Sequence, residues 1–319
     1  MSHEKVYRMK SVYDLSIIIP VYNAMEYLLD LINNIYNSYF GIYSYEVVVV
    51  NDGSKDESLE YLSRVEKERD NFKVITQENK GPSIARKTGF ENSCGRYIVF
   101  IDCDDKFENK FFFNLLQAAE DRGCDIVESG YNLICDDKIT AVKPCDTRND
   151  EPVLKFLHNK TSMFLWDKIF KRELFRDTIF VPFYYSEDAV LLLQLYRNAK
   201  KVGTISDVLY DHYIRKSSLT GSYNVRMIDQ VKSGLKMLEI AKDSGLPYCI
   251  TTMHYTCKYA AKNCINMKKA GLTQTKEYDV AKKAFKDNYV FFGFLKLFFK
   301  REVTFKSVIG IICFRAFGK

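Results

Sequence analysis

The 319-residue sequence predicts an α/β fold: a Rossmann-like, mostly parallel central sheet flanked by helices, with a C-terminal helical extension. Three observations carry this. Continuous apolar, β-branched runs recur along the first 130 residues, as suits strands buried on both faces of a parallel sheet. Segments with helical spacing separate these runs. Each run also ends in a polar, turn-forming sequence, which gathers the chemistry-bearing residues at one edge of the sheet.

Leu15–Ile19 is the first such run and ends at Pro20. Met25–Tyr36 follows as a helix, with Tyr27, Leu28, Leu31, Ile32 and Ile35 on one face. Tyr45–Val50 is a second buried strand that stops at the turn Asn51-Asp52-Gly53-Ser54. Asp56–Arg69 reads as a helix capped by Ser54 or Asp56, Phe72–Thr76 as a strand, and Pro82–Asn92 as a helix with proline in its first turn. Arg96–Ile101 is the fourth strand and runs into Asp102-Cys103-Asp104-Asp105. Asn109–Asp121 is helical and Asp125–Ser129 strand-like; residues 130–220 are less regular apart from a helix over Glu187–Ala199. Three helices are expected over Asn224–Ser244, Tyr248–Ala270 and Lys276–Asn288. The organisation expected is therefore a catalytic domain over residues 1–220 and a helical region over 221–319.

Composition excludes several classes. Of the net charge of +6, +5 belongs to the segment from Tyr289 to Lys319, so the basicity marks a tail rather than a nucleic-acid surface. Nine cysteines without a CxxC pair suggest free thiols in a reducing compartment. His254 and Cys257 share a helical face but lack further ligands nearby, so no metal site is expected there. The charged N-terminus has no apolar signal core, and no run reaches the ~18 apolar residues needed to span a bilayer. A cytoplasmic location follows as the expectation. Neither GxGxxG nor GxxxxGK[ST] occurs, which argues against NAD and P-loop binding.

Three carboxylates within Asp102–Asp105 repel one another unless a cation sits among them, and oxygen donors of this density suit Mn²⁺ or Mg²⁺ shared with a diphosphate. The alternative is a helix cap, and the position directly after a buried strand favours the metal. Asp52 either accepts from a nucleobase N–H or serves the turn. The stretch Gln77–Ser83 opens a helix whose N-terminus favours phosphate.

Together these stretches resemble glycosyltransferase family 2, the inverting enzymes of GT-A fold. The matching residues are Pro20-Val21-Tyr22-Asn23, Asn51-Asp52-Gly53-Ser54, Gln77-x-Asn79-x-Gly81 with Ala85-Arg86, Asp102-x-Asp104-Asp105, Trp166 to Arg172, Ser186-Glu187-Asp188, and Tyr210 to Thr220. Lys87 stands where relatives carry Asn after the Ala-Arg pair. The resemblance covers about residues 14–220.

It implies a UDP-sugar donor and a saccharide or polyprenyl-linked acceptor in bacterial surface polysaccharide synthesis. Asp52 would contact the uracil, with Pro20, Val21, Tyr22 and Arg86 around the nucleoside and Asn79 and Gly81 in the loop beside it. Asp102, with Cys103, would face the ribose or metal, and Asp104 would bind the metal; His212, beside the diphosphate segment, is either a further metal ligand or a structural histidine. Arg215 and Ser218 belong to the diphosphate side. Asp188 would be the general base, paired with Glu187. Trp166, with Lys168, is placed on the acceptor side, where its ring either stacks on a sugar or joins the core. A non-catalytic nucleotide-sugar-binding protein and a nucleotidyltransferase are the competing readings; the first has no need of Glu187-Asp188, and the second needs a Gly-rich basic loop that Pro20–Asn23 does not supply.

The segment Tyr289–Arg301 sets six Phe and Leu residues opposite Lys296 and Lys300 on a helical wheel. Such a helix suits the surface of an anionic membrane, here the inner face, or else packs on the protein or on a second copy in a homo-oligomer.

Overall fold

The computed structural model describes residues 12–136, 138–145, 151–215, 223–244, 249–289 and 311. Its centre is a sheet in which β1 (Tyr13–Val21), β2 (Tyr45–Asn51), β3 (Phe72–Thr76) and β4 (Gly95–Phe100) run parallel in the order β3-β2-β1-β4. Beyond β4 the sheet continues as β8 (Lys168–Lys171), β6 (Ile126–Cys135), β9 (Val202–Tyr213) and β5 (Lys106–Phe107), with β7 (Lys138–Val142) on the side of β6. β8 is antiparallel to both its neighbours, so β6 and β9 recover the direction of β4.

The parallel half agrees with the expectation element by element. Helices α1 (Met25–Tyr36), α2 (Ser58–Glu68), α3 (Pro82–Glu91) and α4 (Phe111–Arg122) cross between the strands. Alternation in β1 splits its side chains between two cores. Ile17 and Ile19 join Leu28, Leu31, Leu62 and Leu115 on one face. Ile18 joins Phe90, Phe100 and residues of α6 (Glu187–Asn198) on the other. Gly89 lets α3 lie directly on the sheet: a Cβ there would come within 2.4 Å of Ile18 Cγ2.

Between 130 and 220 the structure holds more strand than expected. β9 runs through Asp207, Asp211 and His212, and β8 is only four residues long. Neither shows the apolar run that marks a buried strand. A short helix, α5 (Pro152–Leu157), caps the second core through Val153, Phe156 and Leu157.

Helices α7 (Asp229–Asp243), α8 (Cys249–Lys269) and α9 (Lys276–Asn288) enclose a third core built on Val231, Cys257, Ala260, Cys264 and Phe285. They are not a detached unit, because Met237 and Ile240 of α7 belong to the same cluster as α6. Of the expected membrane-docking tail from Tyr289 to Lys319, only Tyr289 and Ile311 lie within the described residues. Tyr289 stacks on Phe285 at 5.4 Å, and Ile311 is 1% exposed within the third core. No helix among the described residues is long and apolar enough to cross a membrane.

Candidate functional site

Four loops at the C-terminal ends of β1, β2, β3 and β4 form the site, and they are tied to one another before any ligand arrives. Asn23, at φ 49°, accepts from Lys55 N (2.7 Å), while its own N–H donates to Ser54 Oγ (3.0 Å). Met25 N donates to Asp56 Oδ2 (3.1 Å) and Ala24 N to Ser58 Oγ (3.1 Å). Ser54 and Asp56 are thus engaged across loops, and α2 begins at Ser58, two residues later than expected.

Asp52 is 3% exposed and organises the loop after β3. Its Oδ1 accepts from Gln77 Nε2 (2.7 Å) and Lys80 N (2.9 Å), and its Oδ2 accepts from Gly81 N (2.8 Å). Two glycines make this closeness possible. At Gly53 a Cβ would meet Asn79 N at 2.9 Å, and Gly81 has φ +86° with the Tyr184 ring 3.2 Å from where a Cβ would be. Asn79 Oδ1 accepts from the Tyr184 hydroxyl at 3.4 Å. Tyr22 stands 47% exposed at the rim, whereas the Val21 side chain is 1% exposed in the first core. Val21 therefore reaches the site only through its backbone oxygen, which accepts from Asp52 N (2.8 Å). Pro20 is the penultimate residue of β1.

Arg86, on α3, links this donor side to α6. It is 5% exposed; Nη2 donates to Asp102 Oδ1 (2.8 Å), and Nη1 donates to Glu187 Oε1 (2.9 Å) and Asp188 Oδ1 (3.1 Å). One guanidinium thus serves three carboxylates, and their charges hold it protonated against the cost of burial. Burial in turn pushes Asp188 well above the ordinary carboxylate range, against the opposing pull of Arg86. Position is set by the preceding residue: Ser186 adopts φ 59°, which turns the chain into α6 so that both acids fall in its first turn. The nucleoside-wall role expected of Arg86 does not fit, since its guanidinium is committed to this ion cluster.

The remaining acids of the 102–105 cluster each have a basic partner. Arg215 Nη1 donates to Asp104 Oδ2 (2.7 Å) and Nη2 to the Asp104 carbonyl (2.6 Å); its guanidinium lies over Tyr27 and Tyr213, 4.8 Å from each ring. Burial pushes Asp104 up, with Asp102 adding to the effect. Asp105, 4% exposed, faces His212 Nδ1 at 3.0 Å and accepts from Tyr213 N (3.0 Å). Its burial raises it to about 6. Burial alone would lower His212, but the hydrogen bond and charge of Asp105 raise it instead. Asp105 is therefore an anchor for β9, and Asp102 and Asp104 are the outward pair, each 28% exposed at the side chain. No group of three His, Cys, Asp or Glu residues among those described is already arranged around a metal position. Asp102 Oδ2 and Asp104 Oδ1 take part in no hydrogen bond among the described residues, and this pair of carboxylate oxygens has the chemistry of a hard divalent cation's ligands, whereas His212 Nδ1 is engaged with Asp105. Cys103 is half-buried against the first core, and desolvation with the charges of its acidic neighbours pushes its thiol pKa upward. Ser218 lies outside the described residues.

Two expectations on the acceptor side are corrected. Trp166 is 2% exposed and stacks with Tyr210 (4.6 Å), Phe164 (4.7 Å) and His212 (4.9 Å), so its ring is core rather than a sugar platform. Lys168 is fully buried; it donates to Asp167 Oδ1 (2.7 Å) and to the Phe164 carbonyl (3.0 Å) and cannot reach a ligand. Tyr184 was not anticipated. An isolated Tyr in an irregular stretch carries no signal, and only the fold lays it on Gly81.

The comparisons agree with this fold. EpsJ of Bacillus subtilis (strain 168), described as an uncharacterized glycosyltransferase, is 30% identical over 216 residues, covering 64% of this chain and 62% of EpsJ. S. aureus TarS in complex with UDP-GlcNAc has the same fold, with a TM-score of 0.68 at 19% identity over 88% of this chain and 80% of that one. A mannosyltransferase from Pyrobaculum calidifontis, in complex with GDP-Man and Mn²⁺, superposes with a TM-score of 0.55 at 15% identity over 99% and 93% of the two chains. The description "Glycosyl transferase family 2" matches residues 16–190, more than half of the sequence, and the chain belongs to that family.

Proposed function

We propose that the protein transfers a sugar from a UDP-sugar, with inversion, to a hydroxyl of a saccharide acceptor carried on a lipid, at the inner face of the membrane during surface polysaccharide synthesis. The observation that carries the reading is the Arg86 ion cluster. It joins a donor-side carboxylate, Asp102, to the Glu187-Asp188 pair, so the leaving group and the base belong to one electrostatic unit. The UDP-GlcNAc complex of the TarS neighbour supports the choice of nucleotide.

The Asp52-anchored loop and Tyr22 hold the nucleoside, and Asp102 and Asp104, with His212 beside them, would hold a divalent cation. Mn²⁺ or Mg²⁺ bound there would supply positive charge against the departing diphosphate. Arg215, on Asp104, adds positive charge on the same side. Asp188 accepts the proton of the attacking hydroxyl. Its raised proton affinity suits that task, and the charge of Arg86 opposes the rise. Attack on the face opposite the diphosphate inverts the anomeric centre.

The test is UDP release, screened across UDP-sugars with Mn²⁺, on the wild type and on Asp188→Asn. The variant keeps the shape and the donor site, and its transfer rate is expected to drop about 10²–10⁴-fold while donor affinity holds. Near-normal transfer by Asp188→Asn would reassign that residue as a helix cap.

A further inference from the structure

We infer that Asp229 and Ser233, in the first turns of α7, are positioning residues for the Glu187-Asp188 pair, so that the C-terminal helices complete the catalytic unit. The inference rests on the transferase reading above. Both residues lie beyond the 16–190 span that matches the family. The turn they act on needs support. Ser186 sits just before the acids at φ 59° and ψ 22°, a left-handed conformation that a residue with a Cβ keeps only where surrounding contacts impose it. A serine at a helix N-cap ordinarily accepts a hydrogen bond from the first turn, yet Ser186 makes no such side-chain cap among the described residues. Arg86 holds the two carboxylates themselves. The backbone that aims them is held from the other side.

The C-terminal region supplies those contacts one residue at a time. Tyr184 N donates to Asp229 Oδ2 (3.0 Å). The Tyr185 carbonyl accepts from Ser233 Oγ (3.2 Å), and the Tyr185 hydroxyl accepts from Asn224 Nδ2. Tyr255, on α8, packs against the second core, and its hydroxyl meets the Ser186 side chain in the field of Glu187. The three residues that lead into Glu187 are therefore each engaged by a side chain from beyond residue 220.

The partners are themselves fixed. Asp229 and Ser233 are buried, and Asp229 Oδ1 accepts from Lys232 Nζ (2.8 Å), which leaves Oδ2 for Tyr184. An acid in the first turn of a helix ordinarily serves the positive end of that helix. Asp229 also reaches across to a segment on the other side of the catalytic acids. Next to Ser233, Gly234 lets α7 press on α8: a Cβ there would come within 2.5 Å of Thr256 Oγ1. This close seat brings Ser233 to Tyr185 and Tyr255 to Ser186 in one packed layer. A general base must meet its proton at hydrogen-bond distance, and a displacement of ~1 Å can cost about 10²-fold in rate. The register of α7 against the 184–186 turn thus sets where Asp188 stands.

The experiment uses the full chain with Mn²⁺ and the UDP-sugar that the wild type turns over fastest. UDP release gives kcat and donor KM for the wild type, Asp229→Ala, Asp229→Asn, Ser233→Ala and Asp188→Asn, with thermal melts to establish folding. In Asp229→Ala, kcat should fall about tenfold or more while donor KM moves by far less, because the acids shift and the donor loops do not. Asp229→Asn keeps a side-chain oxygen for the Tyr184 N–H and should recover most of that loss. If Asp229→Ala does not fold, Ser233→Ala, which removes a single hydroxyl, decides by the same split between kcat and KM. A folded alanine variant with unchanged kcat overturns the positioning role. A loss carried by donor KM, or one that Asp229→Asn shares in full, overturns it as well. In each of these cases, release that still collapses in Asp188→Asn leaves the transferase reading intact. Wild type that releases no UDP from any UDP-sugar overturns both.

Discussion

Asp188 and Arg86 form a pair whose protonation follows from burial. An ordinary aspartate titrates near 3.9, and burial raises Asp188 well above that. A general base must be ionised, so the sign is fixed: turnover is full above the Asp188 pKa and falls as pH drops through it. The acid limb of kcat is thus expected at a midpoint higher than about 4. A kcat profile flat down to pH 4 would remove Asp188 from the base role. Replacing Arg86 by Gln strips the counter-charge from Asp102, Glu187 and Asp188 together. Breaking a buried ion pair by removing one partner costs about 3–5 kcal/mol, so Arg86→Gln should lose stability of that order in denaturant melts. Any remaining activity should show its acid limb moved to still higher pH, because Arg86 is what holds the Asp188 pKa down. Asp104→Ala tests the cation: UDP release should become insensitive to added Mn²⁺ and fall close to background. A variant with full Mn²⁺-stimulated turnover would exclude Asp104 as a ligand.

Among the elements, α3 carries the most constraints, since its N-terminus serves the nucleotide loop, its Arg86 serves the acids, and its Gly89 packs on β1. Gly81, its N-cap, has φ 86° and ψ 165°, a region open essentially to glycine alone. Gly81→Ala should therefore lose about 1–3 kcal/mol and weaken UDP binding through the displaced loop, measured by thermal melts with and without UDP. If binding were unaffected, the loop would not belong to the nucleotide site. Tyr184 joins the same unit: its ring rests on Gly81, and two residues further on Ser186 turns the chain into Glu187-Asp188. The loop before α3 and the two acids are thus joined through Tyr184.

Over the whole molecule, two readings of the tail are separable by experiment: packing on the protein and docking on lipid. Ile311 belongs to the third core, so deletion after Asn288 removes a buried side chain along with the basic, aromatic stretch. Ile311→Ala should cost about 2–5 kcal/mol, as deletions from well-packed cores do, read from the unfolding of the C-terminal helices. Membrane docking is tested instead by Lys296→Glu with Lys300→Glu, because each basic residue near an anionic surface is worth about 1 kcal/mol. The double variant should remain folded and stop sedimenting with anionic vesicles; unchanged sedimentation would assign the tail to packing rather than to lipid.

Sequence alone determined the parallel half of the sheet, the loops at its edge and the acids they carry. Buried parallel strands must be apolar on both faces, and the polar turns that end them cannot be hidden inside such runs. Asp52, Asp102, Asp104, Glu187 and Asp188 were all legible because each follows an apolar run or opens an amphipathic helix. Tertiary structure alone decided how their charges are spent. Nothing in the spacing of Arg86, 16 residues before Asp102 and over a hundred before Asp188, says that one guanidinium holds all three. Nor does the lone tryptophan's identity reveal that three rings stack on it, or that Lys168 is fully buried. β8 is buried but only four residues long, and β9 carries Asp207, Asp211 and His212, so neither shows the apolar run that would have marked it as a strand. Local patterns record which side chains avoid water; which of those that remain meet one another depends on long-range register, which no window of sequence contains.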